Sequence, residues 1–132
     1  FILLDCPPAL NRLTTNALVA AHGVIVPIQV GKWALDGTED LFETIKGVRS
    51  RLNSKLRLRG VVCTFYDPRT TLSREVMELL KAQFPKHLFQ TPIRTATKVG
   101  ESAVAQTPLL AYAKSSAAAQ SFRALAEELL QK

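Results

Sequence analysis

The stretch Phe1-Ile2-Leu3-Leu4-Asp5-Cys6-Pro7-Pro8 constrains the fold more than any other in this chain. Its leading apolar residues run without polar alternation, which fits a strand buried on both faces, as in a parallel sheet. Pro7 and Pro8 cannot donate ladder hydrogen bonds, so the strand is expected to stop at Asp5 or Cys6. A carboxylate then stands at the carboxyl end of a central strand, where open α/β sheets place their ligand crevices. The alternative is an aspartate that only caps the next turn. A first residue already inside a buried strand leads us to expect further chain before it.

Downstream, Asn11 is a plausible N-cap for a helix carrying Leu13, Ala17, Leu18 and Ala21, ended by Gly23. Val24 to Val30 reads as a second, buried strand, with Pro27 limiting its ladder. Asp36 and Glu39 have capping-box spacing and open a helix with the stripe Leu41, Ile45, Val48 and Leu52. Its other face carries Lys46, Arg49 and Arg51, and Asn53-Ser54 closes it. Gly60 to Tyr66 is a third strand, which again stops at an aspartate and a proline, Asp67-Pro68. Thr70 or Thr71 caps the next helix, with the stripe Leu72, Val76, Leu79, Leu80 and Phe84, and Pro85 breaks it. Leu88 to Thr91 is a short strand, Thr95 to Gln106 a short helix and Pro108 to Tyr112 an extended segment. A last helix runs from about Ala117 to Gln131, with Ala118, Phe122, Leu125, Ala126 and Leu129 on one face. Alternating strands and helices with short connections predict an α/β fold: a mostly parallel sheet flanked by helices on both faces, in one domain.

The 132 residues, 47% of them hydrophobic, suit a sizeable core. No apolar run approaches the roughly 18–20 residues that span a bilayer, and no leader pattern indicates secretion. The net charge of +6 favours acidic partners such as nucleic acid or anionic lipid. Cys6 and Cys63 have no zinc spacing and read as reduced core residues, while His22 and His87 stand alone as surface or loop residues. The sole tryptophan, Trp33, reads as a packing or dimer-contact residue, and few aromatics accompany the basic residues, which argues against single-strand stacking. The last helix mixes Glu127 and Glu128 with Arg123 and Lys132, which favours packing on the sheet over insertion in a membrane.

A strand-end carboxylate before a proline-fixed turn suits a metal ion or its water. Mg²⁺ at a nucleotide site keeps several waters and is contacted through only one or two carboxylates, a role open to Asp5. The glycines are scattered and no GxxxxGK[ST] occurs, so a phosphate cradle is expected outside this chain.

At these residues the chain resembles a known family. Phe1 to Leu10 followed by Leu13 to Ala21 looks like the Walker B strand and next helix of ParA/Soj-type partitioning ATPases, relatives of MinD. The resemblance continues through Val26-Pro27-Ile28-Gln29, Ala34-Leu35-Asp36-Gly37 and Thr64-Phe65-Tyr66-Asp67-Pro68-Arg69-Thr70-Thr71-Leu72-Ser73 to the terminal helix. It implies a partial P-loop NTPase fold, with residues 1–132 the C-terminal portion of a single ParA-like ATPase domain starting at the Walker B strand. It also implies a protein that dimerises on ATP with Mg²⁺, binds double-stranded DNA non-specifically and segregates a chromosome or plasmid. A ParB-like partner would stimulate hydrolysis, and the setting would be cytoplasmic and nucleoid-associated, without a membrane. The alternative is a ParA-like regulatory or cargo-positioning module that does not bind DNA. In either case the segment alone is expected to be inactive.

Residue by residue, the resemblance makes Asp5 the catalytic and magnesium-side carboxylate, acting directly or through water. Pro7 and Pro8 fall in a nucleotide-responsive switch near the dimer face. Thr64 and Asp67 fall near the adenine base, and Pro92 and Arg94 on the same nucleotide side. Arg69 and Lys98 fall at DNA-binding positions, and each has an ordinary alternative as a solvated surface charge. Lys98 replaces the more usual arginine and loses its bidentate fork. Thr91-Pro92-Ile93-Arg94-Thr95 departs from the Ile-Pro-Arg-Asn order of the chromosomal type, which points to a plasmid-borne or divergent member.

Overall fold

Asn11 and Thr70 each start a helix of this chain as a capping side chain. The computed structural model describes residues 1–7, 9–32 and 34–131, and the readings placed on Pro8, Trp33 and Lys132 lie outside them. The elements are α1 (Arg12–Ala20), β1 (Gly23–Gln29), α2 (Thr38–Arg51), β2 (Arg57–Thr64), α3 (Thr71–Gln83), α4 (Thr97–Val104), α5 (Leu109–Tyr112) and α6 (Ala117–Gln131). β1 and β2 form the two-stranded sheet. Arg57 N–H donates to the His22 carbonyl and Val30 N–H to that of Thr64, so both strands run in the same direction. The fold is α/β, a parallel sheet with flanking helices, as expected. The chain divides into two compact units, Phe1–Ile25 with Leu35–Arg59, and Val26–Ala34 with Gly60–Lys132.

In the first unit, Asn11 caps α1 as expected, its Oδ1 accepting from the N–H groups of Leu13 at 3.0 Å and Thr14 at 3.2 Å. The buried face is Thr14 and Leu18, while Leu13 is exposed. Gly23 begins β1 and does not end the helix. Instead the amide of Asn53, just beyond α2, closes α1 from a distance. Its Nδ2 donates to the carbonyls of Leu18, Val19 and Ala21 at 3.1, 3.0 and 2.8 Å, groups that a helix end leaves unsatisfied. The Asp36–Glu39 capping box does not form. Gly37, with φ of +74°, occupies the N-cap, and the Thr38 hydroxyl donates to the Leu35 carbonyl at 2.7 Å. Ile45 and Val48 are buried from the expected stripe, and Leu52 is exposed.

The opening strand is the largest correction. Residues 1–7 join no ladder with any described residue. Phe1, Ile2 and Leu3 are 103%, 90% and 84% exposed. An apolar run becomes a doubly buried strand only when neighbours pair with both its edges, and none does so here. Asp5 therefore stands at no strand end, and Cys6 is exposed instead of in a core. Nor is β1 buried throughout: Val26 and Ile28 are covered while Pro27 and Gln29 face out, the alternation of a one-sided strand.

In the second unit, β2 carries the core residues Val61, Val62 and Cys63. The segment after α3 forms two isolated parallel bridges, Val61 of β2 with Leu88 and Tyr66 just past β2 with Arg94, so the expected short strand from Leu88 to Thr91 is present only as the first of these. Thr70 caps α3, accepting from Ser73 N–H at 3.3 Å. The buried stripe is Ser73, Val76, Met77 and Leu80, with Leu72 and Leu79 exposed. The segment from Pro108 to Tyr112 is not extended throughout: Leu109–Tyr112 form a helical turn, and the carbonyl of the N-cap Pro108 accepts from Ala111 and Tyr112 N–H at 2.9 Å. α6 buries Ala118, Ala119 and Ser121 and leaves Phe122 exposed, a rotation from the predicted face.

Candidate functional site

β2 ends at Thr64, and the chain bends at once. Phe65 has φ of +55°, a left-handed conformation unusual for a bulky residue. The bend turns Tyr66 against the segment running from Gln90 to Thr95: Tyr66 N–H donates to the Ile93 carbonyl, and Thr95 N–H to the Tyr66 carbonyl, both at 3.0 Å. Ile93 N–H reaches the Cys63 carbonyl at 2.8 Å. A cleft of about 470 Å³ opens beside this bend, lined by Tyr66, Pro68, Thr91, Pro92 and Arg94, with Ala117, Gln120, Ser121 and Ala124 of α6 forming the other wall. The cleft is shallow and open to solvent.

Asp67 lies next to the cleft and organises its rim. One carboxylate oxygen accepts from the Arg69 N–H and Nε at 3.0 Å, and the other from Arg69 Nη2 at 2.8 Å. These bonds hold its carboxyl at a pKa of about 2, with Arg94 adding a smaller effect of the same sign. Its N–H donates to the buried Ser73 hydroxyl at 3.1 Å, which ties the rim to the first turn of α3. Thr64 is half-buried, and its carbonyl accepts from Val30 N–H at 2.9 Å. Of the predicted nucleotide residues, the structure thus brings Pro92 and Arg94 to one cleft, with Thr64 and Asp67 on the short segment leading into it. Asp5 and Pro7 belong to the first unit, where both are exposed.

The two predicted DNA-binding residues are each ion-paired. Arg69 faces solvent with its side chain 87% exposed, yet its guanidinium is held by Asp67. Lys98 donates to Glu101 at 2.6 Å and lies 6.0 Å from the centre of the Tyr112 ring. The Tyr112 hydroxyl donates to the same Glu101 oxygen at 3.1 Å. The hydrogen bond to Glu101 pushes the Lys98 pKa up, and the Glu101 carboxyl is lowered in return. Burial raises the Cys63 thiol to about 11, so it carries no thiolate chemistry near neutrality.

Among the described residues, no group of three or more His, Cys, Asp or Glu side chains could hold a metal ion. Asp5, the carboxylate expected on the magnesium side, is exposed. The cleft is lined by a tyrosine, two prolines, an arginine and the polar side chains of Thr91, Gln120 and Ser121. Sequence reasoning missed Tyr66, Pro68 and the α6 wall, whose approach depends on long-range packing. Among the described residues, no helix is long and apolar enough to cross a membrane.

Residues 1–58 match a family model described as an AAA domain. The chain is 43% identical over 132 residues to an uncharacterized protein of Pseudomonas putida, covering 100% of this chain and 50% of that protein. It is 41% identical to the chromosome-partitioning ATPase Soj of Thermus thermophilus, covering 98% of this chain and 52% of Soj. It is 39% identical to the chromosome partitioning protein ParA of Caulobacter vibrioides, covering 98% of this chain and 49% of ParA. The chain thus spans about half the length of the curated relatives it matches. Among solved structures, cobyrinic acid a,c-diamide synthase of Mycobacterium smegmatis with a bound ATP analogue and magnesium superposes with a TM-score of 0.76 at 34% identity, covering 96% of this chain and 45% of that one.

Proposed function

Because this chain is related along its length to the ParA/Soj-type ATPases, we propose that it is the C-terminal portion of a single ParA-like ATPase domain, acting in DNA partitioning. The observation that carries the reading is the cleft at the bend after β2, which gathers Pro92 and Arg94 beside Asp67. In this reading the cleft takes the adenine end of ATP. Asp5 holds Mg²⁺, directly or through water, and Pro7 lies in the segment that responds to nucleotide. The ion supplies charge neutralisation on the phosphates. Hydrolysis is transfer of a phosphoryl group to water, in which positioning and electrostatics do most of the catalysis. The ATP-bound protein dimerises and binds double-stranded DNA without sequence preference through Arg69 and Lys98. A ParB-like protein stimulates it, and its setting is the cytoplasm, on the nucleoid. The 132-residue chain contains no GxxxxGK[ST] loop and by itself neither binds ATP tightly nor hydrolyses it.

The experiment is ATP-dependent DNA binding by the full-length protein, with Arg69→Glu and Lys98→Glu compared with the unmodified protein across a salt series. Each lost phosphate contact is expected to lower the slope of log affinity against log salt by about 1. Unchanged affinity and slope in both variants would overturn the DNA assignment. One observation favours a second reading, a ParA-like module that positions cargo or regulates without touching DNA. Both candidate cations already have carboxylate partners, Asp67 and Glu101, which phosphate would have to displace. Absence of DNA binding at low salt, with ATP binding intact, selects this reading.

A further inference from the structure

α6 does more than wall the cleft. Ala117, Gln120, Ser121 and Ala124 line it, and Glu128 follows on the same helical face one turn later, at i+4 from Ala124. Each of its carboxylate oxygens takes one backbone N–H from the opposite wall: Oε1 accepts from Gln90 at 2.8 Å and Oε2 from Thr91 at 3.0 Å. These two donors lie between two points where the segment pairs with β2, Phe89 N–H to the Val61 carbonyl and Ile93 N–H to the Cys63 carbonyl. An ionised acceptor shared by two successive amides makes a charge-assisted, two-point grip.

The grip comes immediately before the residues that face the cleft. Thr91 and Pro92 line it, and Pro92 has no N–H by which its own backbone could be pinned. The loop must therefore be fixed on either side of the proline. On the far side, Ile93 N–H bonds to Cys63 and the Ile93 carbonyl accepts from Tyr66. On the near side, Glu128 does it. We propose that Glu128 is a positioning residue that sets the Thr91–Arg94 wall and through it the selectivity of the cleft for the nucleotide base. This inference rests on the reading of the cleft as the site for the base.

The test uses the full-length protein with Glu128→Gln, which keeps one acceptor oxygen, and Glu128→Ala, which keeps none. Two quantities are measured: affinity for ATP and for GTP, and hydrogen exchange at the Gln90 and Thr91 amides. Glu128→Ala is expected to weaken ATP by about tenfold, the scale of one lost hydrogen bond to a charged group, and GTP much less, so that discrimination between bases falls. Exchange at both amides should accelerate, and Glu128→Gln should fall between the unmodified protein and the alanine variant in both readouts. Faster exchange with unchanged base discrimination would make Glu128 a structural tie only and overturn the proposal. Unchanged exchange would overturn it at its root. If the unmodified protein binds no ATP, the functional reading fails and the selectivity claim with it, while the exchange data still decide separately whether Glu128 holds the loop.

Discussion

Replacing Gly60 by alanine tests the packing on which the cleft depends. Gly60 lies within β2, opposite the segment that leads to Thr91 and Pro92. A Cβ built there falls inside van der Waals contact with Cε2 of Phe89, 2.8 Å from its Cδ2 and 2.9 Å from the His87 carbonyl oxygen. Neither neighbour yields easily. Phe89 is 1% exposed, and the His87 carbonyl already accepts from Val61 N–H at 2.8 Å. Overpacking of this kind costs roughly 1–3 kcal/mol. Against it stands the reduced freedom of the unfolded chain when glycine becomes alanine, which returns about 0.4–1 kcal/mol. The steric effect wins, leaving a net loss of about 1–2 kcal/mol. In urea unfolding, with slopes of roughly 2 kcal/mol per molar, the midpoint should fall by about 0.5–1 M with the slope unchanged. The same substitution in a Phe89→Leu background should cost less, because the ring edge it strikes is gone, and the cycle isolates that coupling. A midpoint that stays or rises, or an equal cost in both backgrounds, would refute the reasoning.

Two further outcomes follow from contacts elsewhere. Asn53→Ala removes the amide that satisfies the Leu18, Val19 and Ala21 carbonyls and should cost about 1–3 kcal/mol in chemical denaturation; a loss no larger than that of a surface substitution would show that water replaces the amide. Asp67 has its carboxyl lowered from 3.8 to about 2 by Arg69, so the stability it contributes is fully present above pH 4 and disappears as pH falls through 2. Asp67→Asn should therefore be less stable than the unmodified protein at neutral pH, with the two converging near pH 2 in thermal melts, and parallel curves would contradict the assigned pairing.

What could be read from residue order alone was what local chemistry decides. Asn11 and Thr70 cap their helices because a cap needs only the next three residues, and Pro85 stops α3 for an equally local reason. The segment 1–5 failed because a buried strand is a property of its neighbours and not of its own composition. The Asp36–Glu39 box lost to Gly37, whose positive φ brings the chain into α2 at a different residue. For the site, Thr64 and Asp67 beside the bend after β2 came from the family resemblance and not from the spacing of the residues themselves. The bonds of Asn53 and Glu128 came from neither, because each residue acts on backbone groups more than 30 residues away, 35 in one case and 38 in the other, and no periodicity announces such a bond.

The left-handed turn at Phe65 has a thermodynamic consequence for whatever enters the cleft. A bulky side chain held at φ of +55°, and 59% exposed, is a conformation the isolated chain rarely samples, with a cost on the order of 1–3 kcal/mol. That cost falls on folding and not on association. The backbone next to the cleft is already bent before a ligand arrives, so binding freezes few additional torsions. Preorganisation of this kind favours slow release over fast capture: the rim has little to rearrange, and a guest that fits it must break its contacts without help from a relaxing wall.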